Sequence, residues 1–509
     1  MVDGGLEMEQ LCLFNMPVST DKWQVLDFSA NNFGQQMARK KLEQKLMDIT
    51  VVSNDFNRQS VSYQLSKNDC LHRWLKYKEG FSADLVKNLL KEFDIKQGDT
   101  ILDPFVGSGT TALVCKMLGI NSIGMDILPM SKIAIDAKRN VFNYDVFEIK
   151  KTIKEIENLS VPNSYEKKTE YVNITDGAYP DFTRKEIAFF TEWNKKSRYS
   201  KIVKNLVTLC ILNSLEKISY TAKDGQFLRW DYRSKKMQET AECRKKNGKR
   251  PLVIRLDKGE LSSLKKTLLN ELNNVCQDIS NIQENSKPTN AELKFIEGNA
   301  LYELPKLESG ILNGIITSPP YCNRYDYTRT YALELAYLNT NDKKLKELRQ
   351  ELLSCTVENK SKIELIKEHY VSIGKEKDFN DIMKIIANNK TLKEIKESLL
   401  ERNKNGDINN KGVLRMIDGY FAELTFVYAE LFRLCKPGAK VAFVNDNVRY
   451  GGEVISVDFI STELAEQIGF KPMKVYSLKQ QKGNSSQQMA KFGRVPLRKS
   501  ITIWEKCHK

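Results

Sequence analysis

The stretch Thr100-Ile101-Leu102-Asp103-Pro104-Phe105-Val106-Gly107-Ser108-Gly109-Thr110-Thr111 decides the fold. Thr100–Leu102 is a short apolar strand. The two glycines let the backbone turn sharply and come close to a ligand. A helix opens at about Thr110, runs to Leu118 and is closed by Gly119. Asn121–Met125 is the next strand, with Asp126 at its end. Strand, glycine loop, helix and strand in this order make one unit of a doubly wound α/β sheet.

The loop narrows the ligand. It lacks Gly-Lys-Ser/Thr, so it is not a Walker loop. It continues Thr110-Thr111-Ala112 where a dinucleotide fingerprint needs a third glycine. Asp103 at the strand end sits badly beside a pyrophosphate but suits a cationic ligand, an amino group or a sulfonium. Asp126 is placed for ribose hydroxyls, as acidic residues are in nucleotide-binding units. Together these favour S-adenosylmethionine, with Asp103, Phe105, Gly107, Gly109, Thr110 and Asp126 as its contacts.

A second motif lies two hundred residues downstream. Leu312–Thr317 is a strand that runs into Ser318-Pro319-Pro320-Tyr321. Proline fixes φ and has no N–H. Two in a row hold the backbone carbonyls in one orientation. A hydroxyl, a fixed carbonyl and an aromatic face at the mouth of a sheet suit a flat, amino-bearing ring.

Outward from these motifs, 509 residues are too many for one simple core, and two or more domains or large insertions are expected. The 41% hydrophobic content is ordinary for a globular chain. Ala83–Phe93 reads as an amphipathic helix with Ser82 as N-cap. From about Met130 to Asn290 the chain is charged and mostly helical. The α/β pattern resumes with strands at Leu293–Ile296 and Leu312–Thr317. A second charged helical stretch covers about Lys343–Asn410. A long helix over Val413–Arg433 precedes strands at Lys440–Val444, Gly469–Tyr476 and Ser500–Trp504. The expected organisation is therefore an extension over 1–55, a cofactor half over 56–130, a basic insertion over 131–290 as candidate target-recognition region, a catalytic half over 291–340, a second insertion over 341–412, and a closing α/β part over 413–509.

The net charge of +15 points to a polyanionic partner. It is concentrated: Lys201–Arg250 and Lys471–Lys509 together exceed the whole surplus, which reads as a nucleic-acid footprint. The ten cysteines show no C-x-x-C spacing and there are three histidines, so no metal site is expected and the compartment is reducing and cytoplasmic. No apolar run approaches the ~20 residues of a membrane span.

With these residues in view, the chain resembles the bacterial site-specific DNA amino-methyltransferases. Asp103–Thr111 resembles their cofactor motif and Thr317–Tyr321 their catalytic motif. His72–Val86, with Phe81 and Ser82, resembles the segment that packs against the methionine end of the cofactor. The resemblance covers about 60–130, 290–340 and 415–505 and implies a Rossmann-like S-adenosylmethionine-dependent methyltransferase fold with large helical insertions. It departs from the family at Gly298-Asn299, where an acidic residue commonly holds the adenine; Asn299 is the candidate here.

The implied chemistry is methylation of the exocyclic amine of a base flipped out of double-stranded DNA. Ser318 Oγ and the Pro319 carbonyl would accept from the amine, Pro320 would stiffen the turn, and Tyr321 would stack on the base. Within the family, Ser-Pro-Pro goes with cytosine N4 more often than with adenine N6. The implied setting is a restriction–modification system, with a cognate restriction endonuclease acting in trans. Adenine N6 in DNA or an RNA base as acceptor, or an inactive DNA-binding protein on the same fold, are the alternatives. Candidate DNA contacts are Lys223, Arg229, Trp230 and Arg233 in the first insertion, Arg324, Tyr325 and Arg329 after the catalytic motif, and Lys482 and Arg494 near the C-terminus.

Overall fold

The structure is a computed structural model that describes residues 37–53, 55–224, 227–254, 256–478, 492 and 497–508. Its strands are β1 (Thr50–Val52), β2 (Thr100–Asp103), β3 (Asn121–Asp126), β4 (Thr221–Asp224), β5 (Phe227–Trp230), β6 (Leu293–Glu297), β7 (Leu312–Thr317), β8 (Cys435–Asp446), β9 (Val448–Tyr450), β10 (Glu453–Ile455), β11 (Lys471–Leu478) and β12 (Lys499–Glu505). Eight of them form one sheet in the order β1-β11-β12-β8-β7-β2-β3-β6. Every neighbouring pair is parallel except those made by β12, which runs antiparallel to both β11 and β8. This is the doubly wound, Rossmann-like methyltransferase architecture that the first glycine loop announced.

The sheet is buried on both faces, so its central strands read as apolar runs rather than alternating ones. Helix Ala83–Glu92 covers one face with Leu85, Val86 and Leu89, all fully buried, each contributing about 1.5–3 kcal/mol by its removal from water. Ser82 Oγ caps it by accepting from Leu85 N. Helix Gly412–Leu434 lies on the opposite face in the largest core cluster, with Phe421, Leu424, Tyr428 and Leu431.

Chain order sets the site. From β2 the chain leaves to β3 on one side, while β7 packs against β2 on the other. This is a topological switch point, where the carboxyl ends of strands leave a crevice. The register Ile101↔Gly314 and Leu102↔Ile315 then brings Asp103 beside Thr317.

The first insertion holds helices Val146–Asn158, Asp181–Lys196, Lys201–Ser214, Lys235–Lys246 and Leu264–Asn285 and the antiparallel hairpin β4–β5. The second holds helices Asp342–Glu351, Ile363–Ser372, Glu376–Asn388 and Lys390–Lys404. Helix Pro129–Arg139 follows β3 and packs beside the glycine loop, with Ile135 against Gly109. Helix Ala38–Met47 buries Leu42 and Leu46 in the main core, and β1 adds an edge strand against β11. Among the described residues no helix is long and apolar enough to cross a membrane.

Candidate active site

One cavity opens at the carboxyl ends of β2, β3, β6 and β7. It is lined by Phe81, Asp103, Phe105, Gly107, Thr110, Asp126, Asn299, Ser318 and Pro320, so the two motifs meet in it. Tyr77, Glu79 and Tyr327 also line it; they lie in segments that the sequence singles out but were not individual site candidates. Tyr77 and Glu79 lie inside the 72–86 segment that resembles a family motif, where the candidates were Phe81 and Ser82.

The loop geometry explains the glycines. Gly107 has φ +51, and a Cβ there would sit 2.7 Å from the Tyr77 ring. Gly109 has φ +91 at the N-cap of helix Thr110–Met117, and a Cβ there would sit 2.8 Å from Ile135. Asp103 is 2% exposed. Its Oδ1 accepts from Thr317 Oγ1 at 2.6 Å and from Phe105 N at 3.1 Å. Asp126 accepts from Gly107 N at 2.9 Å and Leu128 N at 2.7 Å. Burial pushes the Asp103 carboxyl up to about 6 and the Asp126 carboxyl to about 7. Two carboxylates held at a desolvation cost in one cavity need a partner, and a cation with vicinal hydroxyls satisfies both. S-adenosylmethionine, with its sulfonium, amino group and ribose, fits this donor set.

Lys138 was also missed. It is fully buried and its Nζ donates to the Ser108 carbonyl at 2.8 Å, bracing the loop from behind. Burial pushes its amine down to about 7. The buried His72 imidazole is pushed down to about 3, by burial first and then by the Lys138 charge.

At the catalytic turn, Ser318 Oγ donates to Tyr321 Oη at 2.8 Å. The Tyr321 ring is 5% exposed, with Lys499 Nζ 5.1 Å from its centroid. Its hydroxyl is pushed up by burial, against the Lys499 charge. Tyr321, expected to stack on the base, here packs against Ser318, and Tyr327, equally buried, is the tyrosine of that region that lines the cavity. Ser82 and Gly109 serve the helix starts behind the cavity and are not part of its lining. Asn299 lines the cavity, but its amide is committed: Oδ1 accepts from Leu301 N and Nδ2 donates to the Glu351 carbonyl at 2.6 Å.

The candidate DNA contacts fare unevenly. Lys223 is buried, ion-paired with Glu334 and 4.7 Å from the Tyr331 ring centroid. Arg233 is locked on Asp231 through Nε at 2.9 Å and Nη2 at 2.7 Å. Arg329 pairs with Asp326 at 3.2 Å and Glu358 at 2.9 Å. Tyr325 is buried edge-on to Tyr327, 4.9 Å between centroids. These four are interior or internally paired, because a buried or half-buried charge requires a protein partner. Arg229 is exposed and Arg324 and Trp230 are half-buried, with Lys236 Nζ 4.6 Å from the Trp230 ring centroid. Lys482 and Arg494 lie outside the described residues. Among those residues no group of His, Cys, Asp and Glu is arranged to hold a metal.

Comparison with known proteins agrees with this geometry. Residues 18–136 match a family described as DNA methylase. Residues 83–290 match the D12 class N6 adenine-specific DNA methyltransferases. The chain is 54% identical over 492 residues to the Type II methyltransferase M.BsoBI of Geobacillus stearothermophilus, covering 97% of this chain and 96% of that protein. It is 38% identical over 494 residues to the Type II methyltransferase M.AvaI of Nostoc sp. strain PCC 7120, covering 94% and 96%. Similarity to the Type II methyltransferase M.MjaII of Methanocaldococcus jannaschii is 28% over 333 residues, 51% of this chain and 61% of that protein. The chain belongs to the type II DNA methyltransferases of restriction–modification systems, as an amino-methyltransferase that takes its methyl group from S-adenosylmethionine.

Proposed function

We propose that this enzyme methylates cytosine N4 in a specific duplex sequence, with the base flipped into the cavity beside Ser318. When bound, S-adenosylmethionine supplies an electrophilic methyl group on a sulfonium. Asp103 and Asp126 would hold its cationic and ribose parts. The observation that carries the reading is the hydrogen bond from Ser318 Oγ to Tyr321 Oη. The contact with Tyr321 Oη fixes the position of Ser318 Oγ and leaves a lone pair on it for an amine N–H. An exocyclic amine is a poor nucleophile while its lone pair is delocalised into the ring. Accepting its N–H groups at Ser318 Oγ and the Pro319 carbonyl favours the pyramidal, nucleophilic nitrogen, and fixed acceptors cost no reorganisation during reaction.

Serine in the Ser-Pro-Pro-Tyr turn supports cytosine. The second reading, adenine N6, is favoured by the match of residues 83–290 to the N6-adenine class. Mass analysis of nucleosides from a methylated duplex separates the two. A cognate endonuclease cutting the same sequence in trans completes the proposed system; its test is protection of methylated host DNA from that nuclease.

A further inference from the structure

The first insertion carries a segment that the methyltransferase core does not use. Helix Lys235–Lys246 is 12 residues long and buries none of them. A helix with no buried face gains nothing from packing and is held by its ends. From Lys235 to Arg250 the chain has seven Lys/Arg against two Asp/Glu.

The base of this excursion is pinned. Asp231 is fully buried and accepts from Arg233 N and from Lys258 N, the latter at 2.7 Å, besides the Arg233 guanidinium. Arg233 holds the Asp231 carboxyl down to about 2. Lys258 Nζ donates to the Ser219 carbonyl at 2.7 Å and the Thr221 carbonyl at 2.9 Å. Hairpin β4–β5, which leads into the arm, packs on helix Tyr327–Thr330 just after the catalytic turn, and is tied there by the buried Lys223–Glu334 pair. Tyr331, beside that pair, stacks on Tyr77 of the cofactor cavity at 5.2 Å and 9°. The arm is thus mounted rigidly on the catalytic segment.

Its tip gathers charge. Lys249 N donates to the Arg244 carbonyl and Arg244 Nε to the Arg250 carbonyl, both at 2.9 Å, folding the chain back on the helix end. Lys245, Lys246, Lys249 and Arg250 are all exposed, and none makes an ion pair among the described residues. Next to them Val253 and Ile254 are 74% and 64% exposed.

We propose that this arm, residues 235–250, docks on the phosphate backbone of duplex DNA and holds the target over the catalytic cavity. The proposal rests on the reading that the substrate is duplex DNA and adds where the enzyme grips it. Four clustered, unpaired cations on a rigid mount are complementary to a backbone that carries one negative charge per ~1.7 Å of helix axis.

The test is the quadruple variant Lys245→Gln, Lys246→Gln, Lys249→Gln, Arg250→Gln in the full chain. Binding of a labelled duplex is measured by fluorescence anisotropy over a range of salt, without chemistry. S-adenosylmethionine binding by calorimetry controls for the fold. The expected result is a log K against log salt slope shallower by about 0.9 for each phosphate that the arm no longer neutralises. KM for DNA rises at least tenfold. The kcat at saturating DNA and the cofactor affinity stay unchanged, and duplexes of unrelated sequence are weakened equally. An unchanged slope with unchanged KM overturns the proposal, and so does stronger competition by single-stranded RNA than by duplex. A wild-type enzyme that binds duplex through the arm but methylates no base would instead sink the catalytic reading alone.

Discussion

Replacing Asp103 by asparagine separates what this residue does for the ligand from what it costs the fold. Its hydrogen bonds from Phe105 N and Thr317 Oγ1 end on Oδ1. The asparagine Oδ1 can keep both, and its Nδ2 takes the place of Oδ2. Burial raises the Asp103 carboxyl from its ordinary 3.8 to about 6. The protonated form is therefore the favoured one in the fold. Its contribution is intact below pH 3.8, declines as pH rises to 6, and is constant above that. A rise of roughly two units corresponds to about 3 kcal/mol of destabilisation at pH 8, about half of it present at pH 5. Asparagine carries no charge to desolvate. The variant without cofactor should therefore be more stable than the parent at pH 8, and its advantage should grow by roughly 1.4 kcal/mol between pH 5 and pH 8. Urea unfolding of both proteins at the two pH values reads this out. Calorimetry at pH 8 should show cofactor affinity lowered at least tenfold, or about 1.4 kcal/mol, because the cation loses its counter-charge. An advantage that does not change with pH, or an unaltered affinity, would refute the reasoning.

Four further outcomes are expected. Affinity for S-adenosylmethionine should fall as pH drops from 8 to 5, because Asp103 and Asp126 take up protons with values of about 6 and 7 while a cationic ligand needs them ionised; a flat calorimetric profile would show that neither carboxylate faces the charge. Ser318→Ala should lower kcat by about 100-fold, the order seen when one positioned hydrogen-bonding group is removed, with cofactor affinity intact by calorimetry. Gly107→Ala should lose cofactor binding in the same assay, since its Cβ would meet the Tyr77 ring at 2.7 Å and φ is +51. Lys138→Met keeps the length of the side chain but frees the Ser108 carbonyl, and should raise KM for the cofactor several-fold in steady-state assays while kcat stays near the parent value.

The sheet and the cofactor loop were legible because their causes are local. A strand, two glycines with forced backbone geometry and an acidic strand end are written within 27 residues, and the register of β2 with β7 then brings Asp103 to Thr317. The burial of charged side chains was not legible, because the partner is remote. Lys223 reads as a surface cation until Glu334, 111 residues on, is brought against it. Arg329 likewise looks exposed until Glu358 closes on it. Thr50–Val52 shows no chemistry in sequence because its partner strand, with the pairing Thr50↔Val475, lies at the other end of the chain. The contact of the Tyr321 hydroxyl with Ser318, three residues away, was likewise not legible, because it depends on the exact turn geometry. Two of the charged partners are near in sequence: Asp231 stands two residues before Arg233 and Asp326 three residues before Arg329.

Whether an amine of a flipped cytosine meets the methyl donor at Ser318 is decided most directly by mass analysis of nucleosides. Unmethylated genomic duplex DNA, long enough to contain the recognition sequence many times, is incubated with this enzyme and S-adenosylmethionine carrying a deuterated methyl group. The expected product is labelled N4-methyldeoxycytidine, and it should form about 100-fold more slowly with Ser318→Ala. Labelled N6-methyldeoxyadenosine as the product, or N4-methyldeoxycytidine formed equally well by the variant, would contradict that chemistry.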